Sequence, residues 1–107
     1  MNMNQYLYQL RPADPDMLVR GVSQREQDVV EAHFAYLQGL LERGILLMAG
    51  RTTTEDDNTF GIVVLEADSE EAARQLMEAD PALVHGLMRA QLFPYRTALW
   101  SGRGPSD

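Results

Sequence analysis

Few side chains in this sequence can move a proton near neutral pH. The chain has 107 residues, no cysteine, and nine cationic side chains that are all arginine. Thiol nucleophiles, thiolate metal sites, Schiff bases and a P-loop lysine are therefore excluded. Apart from the chain termini, there remain two histidines, His33 and His85, and any carboxylate shifted by its surroundings. His33 lies between Val30 and Leu37 on the apolar stripe of a helical stretch. It reads either as a core histidine satisfied by one hydrogen bond or as a general base. A buried carboxylate beside it would fix its tautomer for the second role. Asp80 precedes Pro81, where an aspartate makes a good helix cap without any chemistry.

The other candidates are weaker. His85, on a short turn after Pro81, reads as a surface residue. His33, His85 and Asp80 are the residue types of a two-His-one-carboxylate metal triad, but nothing in their spacing requires one. Neither a metal nor a cofactor is expected. Arg51, at a strand end, either faces solvent or anchors an anionic small-molecule substrate through its planar fork. Tyr6 and Tyr8 share one face of a strand and are taken with Arg51 as substrate-binding candidates, although tyrosines there are more often core or interface residues. The acidic run Glu55-Asp56-Asp57 lacks EF-hand length and spacing and reads as a solvated turn.

A formal net charge of −7 repels phosphate backbones and anionic lipid, so neither nucleic acid nor membrane is an expected partner. The sequence shows no signal peptide and no apolar run long enough to span a bilayer, and a cytoplasmic location fits.

The elements that must position these residues follow from periodicity. Asn4 to Leu10 alternates as a first strand, with Tyr6, Tyr8 and Leu10 on one face. Arg11 to Val22, with Pro12, Asp14-Pro15 and Gly21, predicts a loop; the alternative is a short turn from Asp14 to Leu18 capped by Asp14. Ser23 and Glu26 form a capping box, Val30, His33, Phe34, Leu37, Leu40 and Leu41 recur at helical spacing, and Gly44 stops the helix. Ile45 to Thr53 and Phe60 to Ala67 predict a hairpin around Glu55–Asn58. Asp68-Ser-Glu-Glu71 is a second capping signature, opening a helix that Asp80-Pro81 ends. Pro81 to Leu87 predicts one helical turn, and Ala90 to Trp100 a fourth strand. The domain spans residues 1–100; residues 101–107 read as a disordered tail.

The order β-α-β-β-α-β predicts an α+β, ferredoxin-like fold: a four-stranded antiparallel sheet with both helices on one face. Strands two and three are apolar on both faces, and the chain has helices for only one. A second copy of the sheet is the simplest cover, giving a homodimer of the dimeric α+β barrel type. The competing cover is the long loop at residues 11–22.

The chain resembles the YCII-related (YciI-like) family over nearly all of residues 4–100. The resemblance rests on His33-Phe-Ala-Tyr-Leu, on Leu40-Leu-Glu-Arg-Gly44 leading to Met48-Ala-Gly50, and on Gly61-Ile-Val-Val-Leu-Glu66. Ser69-Glu-Glu-Ala-Ala73, Asp80-Pro81 and Gly86-Leu87 complete it. It implies an active-site pair of His33 on the first helix and Asp80 in the Asp-Pro turn. Some relatives resemble dehydrochlorinase-type enzymes acting on chlorinated aromatics. The chain departs from the family pattern at Ala82, where an aromatic often stands, and at Gly50-Arg51, where Gly-Pro is common. The expectation is a lyase or isomerase with His33 as base and Asp80 as orienter. The alternative is a non-catalytic small-ligand-binding or accessory dimer using the same pocket.

Overall fold

The computed structural model describes residues 3–106, without the side chains of residues 18 and 19. The two ends of the expected domain and tail, residues 1, 2 and 107, lie outside the described residues. Four strands form one antiparallel sheet: β1 (Asn4–Pro12), β2 (Leu46–Arg51), β3 (Gly61–Ala67) and β4 (Met88–Tyr95), in the order β2-β3-β1-β4. The helices are α1 (Met17–Arg20), α2 (Gln24–Glu42), α3 (Glu70–Glu78) and α4 (Pro81–Val84). The fold is α+β and ferredoxin-like; α4 is the expected helical turn after Asp80, and α1 is a further short helix. No helix among the described residues is long and apolar enough to cross a membrane.

The expected loop at residues 11–22 is corrected at both ends. β1 continues through Pro12, which pairs with Met88 of β4, whereas β3 begins at Gly61 opposite Leu10. Pro12 therefore lies past the end of β3, where a missing N–H breaks no bond to that strand. The Asp14 carboxylate accepts the Asp16 N–H, and the short helix α1 follows, close to the alternative turn. Met17 packs with Val29 and Leu87 in a small second core. Arg20 grips both Asp14 (3.1 Å) and Glu26 (2.7 Å). The bond from Arg20, and then that from the Ser23 N–H, hold the Glu26 carboxyl down at about 2.

At the start of α2 the capping box is present: Ser23 Oγ accepts the Glu26 N–H and Glu26 accepts the Ser23 N–H. Gly44 takes φ +76°, as a left-handed stop requires. The stripe is rotated from its expected position. Val29, Leu37 and Leu40 are buried, whereas Val30, Phe34 and Leu41 are exposed. The apolar sector of α2 is wider than the surface its neighbours cover. The cap of α3 is also shifted by one residue: Ser69, not Asp68, accepts the Ala72 N–H.

Strand ends are shorter than expected. β4 stops at Tyr95 because β1 offers almost nothing beyond Gln5 to pair with, and Thr97 N–H and Oγ1 both turn to Gln5 Oε1 at 2.8 Å. A bulge at Leu47 shifts the β2 register, so Leu46 pairs with Leu65 and Met48 with Val64. Leu46 and Met48, expected on one face, therefore stand on opposite faces.

The pleat sorts the sheet into two faces. Tyr6, Tyr8, Leu10, Leu46, Val63, Leu65 and Ala67 join Leu37, Leu40, Ala73 and Met77 in the main core under the helices. The other face carries a row of cross-strand partners, Met48–Val64–Leu7–Phe93. Met48 and Phe93 are each 38% exposed.

Candidate active site

Three elements meet at one carboxylate. Asp80 caps α4: it follows the end of α3, takes an extended conformation before Pro81, and its Oδ1 accepts the Ala82 N–H at 2.9 Å. Pro81 pre-sets the first turn and needs no N–H partner. Gly86, at φ +71°, ends that turn and returns the chain to β4. Tyr8, on the central strand β1, points into the helix-covered face and donates its hydroxyl to Asp80 Oδ2 at 2.8 Å. From the middle of α2, His33 Nδ1 lies 2.7 Å from Oδ1 and 2.9 Å from Oδ2. Asp80 is fully buried, and the His33 side chain is 14% exposed.

Three partners thus surround the buried Asp80 carboxylate and satisfy its oxygens. Tyr8 O–H and Ala82 N–H can only donate here, which leaves Nδ1–H as the hydrogen-bonding form of the imidazole facing Asp80. Nε2 engages no described residue. No buried side-chain nitrogen or oxygen among the described residues lacks a partner, so Nε2 reaches solvent. The arrangement fixes one imidazole nitrogen and presents the lone pair of the other, which is the geometry of a general base.

Tyr8 is held far above the ordinary phenol range, by burial first, then by the Asp80 charge and hydrogen bond. Tyr36, whose hydroxyl donates to the Leu76 carbonyl at 2.7 Å, is also pushed up, by burial and then by Asp80. The sign of the consequence is fixed. Above pH ~10 the unfolded chain ionises its tyrosines while folded Tyr8 stays protonated, so the unfolded state binds fewer protons and stability falls. Tyr8→Phe is expected to reduce that alkaline slope by up to about 1.4 kcal/mol per pH unit, measured by denaturant melts between pH 9 and pH 11.

Of the remaining candidates, Tyr8 alone joins His33 and Asp80 among the described residues. Tyr8 uses its hydroxyl on Asp80 and is fully buried; Tyr6 belongs to the same core. The partnership of Tyr8 with Asp80 was absent from the sequence reading; the available signal was that a buried tyrosine hydroxyl needs a partner. Arg51 is exposed at the end of β2, on the helix-bearing face beside Gly61 and Leu10. His85 is exposed at the end of α4, where its carbonyl accepts from Arg25. Among the described residues, no group of three His, Asp or Glu side chains is placed to hold a metal ion. A cleft of about 380 Å³ opens between the start of β1 and the end of β4, lined in part by Gln5, Tyr6, Tyr95 and Arg96. It does not include His33 or Asp80.

A model of the YCII-related domain matches residues 6–95. No curated protein sequence matches the chain. Among solved structures, the chain is similar to 5-chloro-2-hydroxyhydroquinone dehydrochlorinase from Burkholderia phenoliruptrix AC1100, solved with 2,5-dihydroxybenzoquinone. The two are 26% identical over 85% of this chain and 93% of that one, with a TM-score of 0.61. It is also similar in fold to an uncharacterised protein from Thermotoga maritima. That match is 14% identical over 89% of this chain and 100% of that one, with a TM-score of 0.52.

Proposed function

The chain belongs to the YCII-related family, and from that premise we propose that it is a cofactor-independent lyase or isomerase acting on a small molecule. His33 is the base and Asp80 the residue that orients it. The observation that carries this reading is the 2.7 Å contact from Nδ1 to a buried, triply bonded carboxylate, with Nε2 left unengaged. Nε2 removes a proton from substrate, Asp80 stabilises the imidazolium, and the proton returns to a neighbouring atom or follows a leaving group. Tyr8 is a positioning residue that fixes Asp80.

The dehydrochlorinase neighbour suggests hydroxylated, chlorinated aromatics as the first substrates to try. On such a ring the chemistry needs proton transfers and the departure of chloride, with no oxidant or reductant. One hydroxyl loses its proton and becomes a carbonyl as the chlorine-bearing carbon gains one. A second hydroxyl then loses its proton while chloride departs with the C–Cl electron pair. The net change is loss of HCl to give a quinone. The test is chloride release from 5-chloro-2-hydroxyhydroquinone: equal amounts of chloride and quinone are expected. The cleft of about 380 Å³ lies away from His33, which favours the rival reading of a binding module. That reading predicts saturable binding of 2,5-dihydroxybenzoquinone without turnover of the chlorinated compound.

We also propose that the open sheet face is covered by a second copy. The row Met48–Val64–Leu7–Phe93 is apolar, with Gln5, Glu66 and Tyr95 on one side and Gln9, Gln91 and Ile62 on the other. Under a two-fold axis the apolar rows meet, with Ile62 extending them, and Gln5, Glu66, Gln9 and Gln91 form the rim. Phe93→Asp is expected to yield a folded monomer by light scattering, because Phe93 is 38% exposed in the single chain. Val63→Asp, in the core, is expected to unfold it. A wild-type monomer at micromolar concentration would contradict the dimer.

A further inference from the structure

At one end of the open face, away from the apolar row, Arg11 of β1 and Arg89 of β4 are direct cross-strand partners. Like charges opposite each other in an antiparallel pair destabilise the sheet. Among the described residues, neither guanidinium forms a salt bridge or donates a hydrogen bond, although the chain carries a net charge of −7. Arg11 is held in place, its guanidinium carbon 5.4 Å from the centre of the Phe60 ring. That contact leaves the planar edge, where the N–H donors lie, free to bind.

Arg11 and Arg89 line one concavity of about 90 Å³, with Thr59, Pro12 and Pro15 among its walls. That space has room for more than one water and so for a carboxylate or a phosphate group. Asp56 and Asp57 also line it, and the Asp56 carboxylate already accepts the Asn58 N–H. Two guanidinium forks lining one concavity make an oxyanion receptor. Tyr8 and Asp80 lie under the helices, on the opposite side of the sheet.

We propose that Arg11 and Arg89 bind an oxyanion, the carboxylate or phosphate group of an acidic small molecule, at a site separate from His33 and Asp80. The bound anion relieves the repulsion between the two arginines and joins β1 to β4 at that end. The site does not depend on the catalytic reading.

The test is thermal melting and calorimetry of the full chain with inorganic phosphate and with acetate, each against chloride at equal ionic strength. At least one of the two should raise the melting temperature saturably. Preference for phosphate or for acetate identifies the group bound. Arg11→Gln and Arg89→Gln should each weaken that binding about ten-fold or more, the loss expected from removing charge-assisted bonds. Arg89→Gln without ligand should melt no lower than wild type, because one of two like charges is gone and the Arg89 guanidinium makes no ion pair among the described residues. Arg74→Gln, on α3 and outside the concavity, should bind as wild type does. No stabilisation by either anion beyond chloride would overturn the proposal. Unchanged binding in Arg11→Gln and Arg89→Gln would overturn it equally.

Discussion

Asp80→Ala is expected to destabilise the domain by about 3–5 kcal/mol and to lower its melting temperature by more than about 10 °C. The substitution removes the acceptor for three donors at once: Tyr8 O–H, Ala82 N–H and His33 Nδ1. Tyr8 is fully buried and has no water to turn to, so its hydroxyl bears the desolvation penalty of an unmade bond, about 1–3 kcal/mol. Loss of the α4 cap adds about 1 kcal/mol. Asp80→Asn is a milder change of shape and separates two roles. Its amide offers one acceptor oxygen instead of two, so it keeps much of the packing but cannot hold Nδ1–H and Tyr8 O–H as the carboxylate does. Denaturant melts should rank the variants Ala below Asn below wild type. An Asp80→Ala protein as stable as wild type would mean that the network contributes little.

The largest effect on activity is expected at His33. His33→Asn should lower turnover by about 10²–10⁴-fold, the usual contribution of a positioned acid or base. The fold should survive, because His33 sits at the edge of the main core and an asparagine can still donate to Asp80. The readout is chloride release at saturating substrate beside a melting curve. A turnover loss with an unchanged melting temperature assigns chemistry to the side chain. Equal turnover in the two proteins would favour the binding-module reading.

The fold was legible in the sequence because its signals are local. Alternation gave β1, the Ser23–Glu26 box gave the start of α2, and Asp80-Pro81 with Gly86 gave the α4 turn. What the sequence hid depends on neighbours distant in the chain. The bulge at Leu47 exists only in the pairing of β2 with β3, and nothing in Leu46-Leu-Met48 announces it. The rotation of α2 that exposes Phe34 and Leu41 is set by what the surrounding elements can cover. Pro12 looked like a strand breaker, but it stands beyond the end of β3.

The site divides in the same way. His33 on a helix face and Asp80 as a cap were each readable one at a time, with a bland role available for both. Their nearness joins residues 47 positions apart, and the Tyr8 bond joins residues 72 apart. No spacing rule reaches that far; the family resemblance supplied the pairing, and nothing supplied Tyr8. The pair Arg11 and Arg89 was likewise invisible, because only the β1–β4 register sets them opposite each other.

The central claim is that Asp80 holds Nδ1–H of His33 and leaves Nε2 bare as the base. Nitrogen NMR of the labelled imidazole reads this directly, with His85→Gln used to assign the second of the two histidines. At a pH where His33 is neutral, the account predicts a protonated Nδ1 and an unprotonated Nε2, with that preference lost in Asp80→Asn. A protonated Nε2 with a bare Nδ1 facing Asp80 would contradict it, since the lone pair would then point into the buried carboxylate and away from any substrate.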